Sequence, residues 1–150
     1  MFIPEEEYSK IQSLLPILCV DCVIVHENKC LLLRRTNEPA KGQYWFPGGR
    51  VFKGERIRDA ALRKAREEVN LDCHFEQIIG IEETIFRRNA NINYDIHTVN
   101  VCCQLSIQQA SYVRMDSSHD HFIWVGSNDV MPFNLHIAVS RPLHKCLNIL

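Results

Sequence analysis

Gly49-Arg50-Val51-Phe52-Lys53-Gly54-Glu55-Arg56-Ile57-Arg58-Asp59-Ala60-Ala61-Leu62-Arg63-Lys64-Ala65-Arg66-Glu67-Glu68-Val69-Asn70-Leu71 is the stretch that decides how this chain folds. Ile57, Ala61, Leu62, Ala65 and Val69 recur at helical spacing, which predicts an amphipathic helix over Glu55 to Val69. Residues three and four apart share a helix face, so Arg63 stacks on Glu67 and Lys64 on Glu68. The preceding Gly48-Gly49 turn carries no Cβ and lets main-chain atoms approach a ligand closely. A glycine turn feeding a helix with an acidic far end can hold a divalent cation against a diphosphate. Taken alone, the helix reads better as a surface with two ordinary ion pairs. The fixed distance from the glycine turn and from Glu55 favours a site.

The flanks supply strands. Pro16 to His26 reads as a buried strand, with Cys30 to Arg35 as its hairpin partner across Glu27-Asn28-Lys29. Thr36 to Gln43 is a polar loop, and Tyr44 to Arg50 an aromatic strand ending in the glycine turn. His74 to Arg87, Ile96 to Ile107 and Phe122 to Val125 read as further strands. Residues 4–14 and 135–148 read as helices, with Pro142 opening or kinking the second. Strands around a central helix, with another helix at the end, predict an α/β sandwich on a mixed sheet (the α+β kind).

At 150 residues the chain has the size of one domain, taken as 1–150, and 46% hydrophobic residues suffice for a core. A net charge of −1 gives no basic excess for nucleic acid or a membrane surface. The apolar run from Pro16 to Val25 is too short to span a bilayer. Glu5-Glu6-Glu7 is the opposite of a signal peptide's basic start. Seven cysteines, an odd count, read with that start as free thiols in a reducing cytoplasm. Cys19 and Cys22 have half-zinc spacing, but their only candidate partners, Cys102 and Cys103, point to opposite faces of a strand, so buried thiols are expected.

The Gly49–Leu71 spacing resembles the Nudix box, G-x5-E-x7-R-E-U-x-E-E-x-G-U with U apolar, with two departures: Lys64 replaces a Glu and Asn70 replaces the Gly. Arg34-Arg35-Thr36-Asn37, Pro39-Ala40-Lys41-Gly42 and Tyr44 to Val51 are similar to the matching region of GDP-mannose mannosyl hydrolases. So are His119-Asp120 before Phe122 and Trp124, Asn134-Leu135-His136 with Ser140-Arg141, and the opening Met1-Phe2 and Glu6-Glu7-Tyr8. That subgroup also lacks the Glu at the Lys64 position. The resemblance implies a Nudix-type α/β/α sandwich and Mg²⁺-dependent hydrolysis of a nucleotide sugar such as GDP-mannose at the glycosidic C–O bond, with Mn²⁺ as the alternative ion. It assigns Gly48 (main-chain oxygen) and Glu68 to the metal, with Glu67 a second candidate, and His119 as general base. Spacing alone would leave His119 a solvated loop residue. Asp120 either orients its ring or completes the metal site. Ser118 stands where the subgroup has a Gln ligand, and Asp116 or Asp120 can compensate.

Arg35, Arg50 and Arg63 match positions that grip the diphosphate or the leaving group, although Arg63 reads equally as an ion-pair partner for Glu67. Asp21 and Arg35 are the implied substrate contacts; Tyr44 and Trp45 have the chemistry to stack a base or a sugar, although such aromatics are more often core. Thr98 stands where the subgroup has a substrate-contacting Tyr. A homodimer is implied by the resemblance alone. Two readings compete: a P–O-cleaving pyrophosphohydrolase working through Glu67 and Glu68, and a binding module without turnover.

Overall fold

The computed structural model describes residues 1–109, 112–129 and 134–148. Helix α1 (Glu5–Leu14) is followed by β1 (Ile17–His26), β2 (Lys29–Arg35), β3 (Tyr44–Trp45) and β4 (Gly48–Arg50). Then come α2 (Ile57–Val69), β5 (His74–Phe86), β6 (Ile96–Ser106), β7 (His119–Gly126) and α3 (Ile137–Leu147). The strands form one mixed sheet in the order β3-β2-β1-β6-β5, with β4 added on β1 and β7 on β2. β1 and β6 run parallel, while the remaining pairs are antiparallel. No described helix is long and apolar enough to cross a membrane.

Alternation along the strands sorts the core into two layers. Val20, Cys22 and Ile24 of β1 and Val101, Cys103 and Leu105 of β6 face α2, where Ala61, Ala65 and Val69 close the layer. Val23 and Cys102 face the other way, with Cys30, Leu32 and Trp45, against Ala138, Val139 and Leu143 of α3. The neighbours Cys102 and Cys103 thus serve opposite layers, and all seven cysteines are free.

Two local details differ from expectation, and one left open is decided. The Tyr44–Arg50 stretch splits into β3 and β4, because Pro47 has no N–H to donate; its carbonyl instead accepts from Cys22 N at 2.7 Å. α2 starts at Ile57 rather than Glu55, whose carboxylate accepts from Phe52 N at 3.0 Å and so closes the preceding turn. Pro142 lies buried inside α3 rather than at its start.

Asn70, the departure from glycine, ends α2 in the left-handed conformation at φ 56°. Asn is the residue after Gly that adopts this geometry most readily, so the departure preserves the cap.

Candidate active site

The glycine turn is clamped to β1 and α2. Gly48 pairs with Asp21, and a Cβ there would lie 2.2 Å from the Val20 carbonyl oxygen. Only glycine fits this approach. Gly48 N donates to Glu68 Oε2 at 2.9 Å, which ties the turn to the end of α2. Glu68 is only 7% exposed. Its other oxygen meets Lys64 Nζ at 2.9 Å, and the same ammonium reaches Glu67 at 3.3 Å. Burial opposes the charge on Lys64, but Glu68 and Glu67 more than offset it and hold its pKa above the ordinary lysine value.

Arg63 is fully engaged. Nε and Nη2 donate to Glu55 at 2.6 and 2.9 Å, Nη1 to both oxygens of Glu67 at 3.3 and 3.1 Å, and Nη2 also to the Arg50 carbonyl at 3.1 Å. That uses all of its N–H donors, and the guanidinium lies 3.8 Å from the Phe52 ring centroid. A diphosphate would have to break these bonds to reach it. In this structure Arg63 thus fixes Glu55, Glu67 and the Arg50 main chain, the ion-pair alternative of its two expected roles.

A pocket of about 180 Å³ lies beside the turn, with Asp21, Arg35, Trp45, Gly48 and Arg50 in its wall. A larger cleft of about 900 Å³ shares Tyr8, Gln12, Pro39 and Ile96 with it. Arg50 sits between the Tyr8 and Phe52 rings, 5.1 and 4.9 Å from their centroids, and donates to the Met1 carbonyl at 2.9 Å. Arg35 donates from Nε to the Pro39 carbonyl at 2.8 Å, and burial lowers its pKa against the pull of Glu68 and Asp21. Trp45 packs on His136 and Phe86 at 5.1 and 5.8 Å, so it is core on one side and pocket wall on the other.

Asp21 is 3% exposed, and its Oδ2 has no hydrogen-bond partner. Burial pushes its pKa up to about 7, against hydrogen bonding from Asn100 and the nearby Trp45 indole. Asn100 Nδ2 donates to Oδ1 at 3.1 Å. Thr98 Oγ1 donates to Asn100 Oδ1 at 2.6 Å, and Thr84 Oγ1 meets Thr98 Oγ1 at 2.6 Å. Thr84, Thr98 and Asn100 all line the pocket. Sequence reasoning passed over Asn100 and Thr84. The signal for Asn100 was present: an amide between Val99 and Val101 in an apolar strand, as Asp21 stands between Val20 and Cys22.

Other expected residues lie outside this wall. His119 is 8% exposed, and its Nδ1 lies 2.8 Å from Asp116 Oδ1; it pairs with Arg35 across β7 and β2. Asp116, not Asp120, therefore orients the ring. Asp120 is turned outward onto Arg34, accepting at 2.7 and 3.2 Å, which holds its pKa below the usual carboxylate range. Strand alternation requires this, since neighbours on β7 point to opposite faces. Its expected role at the His119 ring is thus corrected. Tyr44 is buried with its hydroxyl 2.7 Å from His121 Nδ1, outside the pocket wall. It does not stack a ligand there.

Carboxylate and carbonyl oxygens at the turn are hard donors of the kind Mg²⁺ takes. Among the described residues, no three His, Cys, Asp or Glu side chains gather as a ligand group. Glu67, Glu68 and the Gly48 carbonyl offer such oxygens, so an ion held there would take its remaining ligands from water or from a ligand's own oxygens, beside the Lys64 ammonium that already neutralises part of the charge.

Residues 16–145 match the Nudix domain family, and the chain belongs to it. It is 43% identical over 84 residues to the low-salt glycan biosynthesis protein Agl8 of Haloferax volcanii, covering 56% of this chain and 54% of that one. It is 38% identical over 66 residues to an ADP-ribose pyrophosphatase of Methanocaldococcus jannaschii, covering 44% and 39%. The chain thus spans about half the length, or less, of these curated relatives. Among solved structures, a MutT Nudix hydrolase from Burkholderia pseudomallei superposes with a TM-score of 0.71 at 22% identity, over 87% of this chain and 98% of that one. The Nudix domain of Shewanella oneidensis NrtR, determined with ADP ribose, gives 0.62 at 22% identity over 95% and 96%. These likenesses agree with the α+β sandwich on a mixed sheet.

Proposed function

We propose that this Nudix chain hydrolyses a nucleotide sugar at the glycosidic C–O bond, with GDP-mannose the first substrate to try. The observation that carries this reading is the Lys64 ammonium lying between Glu67 and Glu68. Attack on a phosphorus within the diphosphate is served by several ions, and a fixed positive charge at this spot opposes their gathering. Departure of a nucleoside diphosphate from a sugar needs only charge neutralisation on the leaving group. Gly48, Glu67 and Glu68 would hold one Mg²⁺, which supplies that positive charge when bound.

The remaining roles fall to the chain's own side chains. Arg35 and Arg50, both in the pocket wall, grip the diphosphate as forked donors. The adjoining cleft has the size a nucleoside requires. Asp21 faces the sugar side, with Trp45 beside it. His119, held through Nδ1 by Asp116 and paired with the pocket residue Arg35 across β7 and β2, is the general base in this reading. Asp116 fixes its tautomer and orientation.

P–O cleavage is the second reading, favoured by Glu67 and Glu68 remaining acidic and by the pyrophosphatase activity named for one relative. Hydrolysis in ¹⁸O-labelled water separates the two. Label in the released sugar is expected; label in a phosphate would replace C–O cleavage with P–O cleavage. Tight binding of GDP-mannose without turnover at saturating Mg²⁺ would instead make the chain a binding module. The resemblance also implies a homodimer, which sedimentation of the purified chain tests; the cytoplasmic location rests on the free thiols and the acidic start alone.

A further inference from the structure

We propose that Asn100 and Thr98 are positioning residues for ligand recognition, holding Asp21 so that one carboxylate oxygen stays open to accept a hydroxyl of the bound sugar. The inference rests on the nucleotide-sugar reading of the pocket. A one-way chain of donors carries it. Thr98 gives its hydroxyl hydrogen to Asn100 Oδ1 at 2.6 Å, so in the Thr84–Thr98 contact, also 2.6 Å, Thr84 is the donor. With its oxygen committed to Thr98, the Asn100 amide must present its NH₂ to Asp21, which it does at 3.1 Å. Each group fixes the orientation of the next, and the chain ends on a carboxylate oxygen.

The register of the sheet builds the chain. Thr84 pairs with Thr98 across β5 and β6, and Thr98 and Asn100 lie two apart on β6, on one face. Asn100 pairs with Cys19 across β6 and β1, two residues before Asp21. The row thus crosses three strands. It serves Oδ1 alone, while Oδ2 is buried with no partner in a residue that lines the pocket. A buried polar atom without a partner costs stability, and a chain placed only for packing would satisfy both oxygens or neither. The Trp45 indole lies near this carboxylate but makes no hydrogen bond to Oδ2, so a neutral donor is still missing at the pocket, and a sugar hydroxyl is such a donor. An ionised phosphate oxygen carries no hydrogen to donate and so cannot fill this place.

The test uses the full chain with Mg²⁺ and compares binding of GDP-mannose and GDP, as initial-rate KM against inhibition constant, or by calorimetry where no turnover is seen. Wild type is expected to bind GDP-mannose more tightly than GDP. Thr98→Val and Asn100→Leu are expected to weaken GDP-mannose binding about tenfold and leave GDP within about twofold, since one lost hydrogen bond to a charged group is worth roughly a factor of ten or more. Thr98→Ser, which keeps the hydroxyl, is expected to restore wild-type discrimination. If Thr98→Val and Thr98→Ser both keep the preference for GDP-mannose, the positioning role is wrong while the substrate reading stands. An equal loss of GDP and GDP-mannose binding would mean a purely structural role and overturn the proposal. If wild type shows no preference for GDP-mannose over GDP, nor for ADP-ribose over ADP, the nucleotide-sugar reading itself falls, and this inference with it.

Discussion

The two faces of the central sheet are built by the same strands and do opposite work. On the α2 side, Val20, Cys22, Ile24, Val101, Cys103 and Leu105 form an unbroken apolar layer. On the other side, β1 and β6 begin with Cys19, Asp21, Thr98 and Asn100 at the pocket, and become apolar only at Val23 and Cys102, beneath α3. One face spends its burial on stability. The other gives up part of its burial to keep a carboxylate and its donors beside a pocket. A polar residue in an apolar strand therefore has meaning only relative to the face it occupies.

Leu105→Ala should produce the largest effect, because it opens a cavity in the α2 layer. We expect a loss of about 2–5 kcal/mol in denaturant unfolding. Substrate affinity of the surviving folded fraction should be unchanged. A loss of affinity without a loss of stability would break the division between the faces.

Asp21→Asn probes the other face and should act in the opposite direction on stability. Burial raises the folded-state pKa of Asp21 from 3.8 to about 7. Between those values the folded chain keeps a proton that the unfolded chain has lost, so stability falls as pH rises through this window. Below it both states are protonated and the penalty is absent; above it the penalty is complete. The asparagine variant should abolish that slope, gaining up to a few kcal/mol at pH 8 relative to pH 4 in thermal melts. Activity should drop at the same time. An unchanged stability slope would mean that Asp21 titrates normally.

Lys64→Met addresses the site at the junction of β4 and α2. Removing the ammonium from Glu67 and Glu68 should tighten Mn²⁺ binding by roughly tenfold, read by electron paramagnetic resonance without any substrate. Equal or weaker binding would show that the lysine does not compete with the ion. Asn70→Gly should be the mildest change, within about 1 kcal/mol, because glycine adopts the same left-handed cap and only adds freedom to the unfolded chain. Its activity should match wild type.

Much of this was legible in the sequence. The glycine turn, the box helix and the alternating strands each follow a local period, and these put Gly48, Glu67 and Glu68 at one turn; Arg35 and Asp21 came from the family resemblance, and both line the pocket beside Gly48. Arg63 was left open between two roles, and only the distances to Glu55 and to the Arg50 carbonyl resolved it. Asp120 was left open between the His119 ring and the metal site; strand alternation turns it onto Arg34 and leaves His119 Nδ1 to Asp116.

What the chain alone determined is which residues share a face, since periodicity and the absence of a Cβ at Gly48 are local properties. Which residues meet was decided only by tertiary structure. Asp21 and Asn100 are 79 positions apart, and Thr84 reaches them through a third strand. Their meeting depends on the parallel register of β1 with β6, which is set by apolar burial against α2 and α3 together, a sum over the whole molecule that no single segment contains.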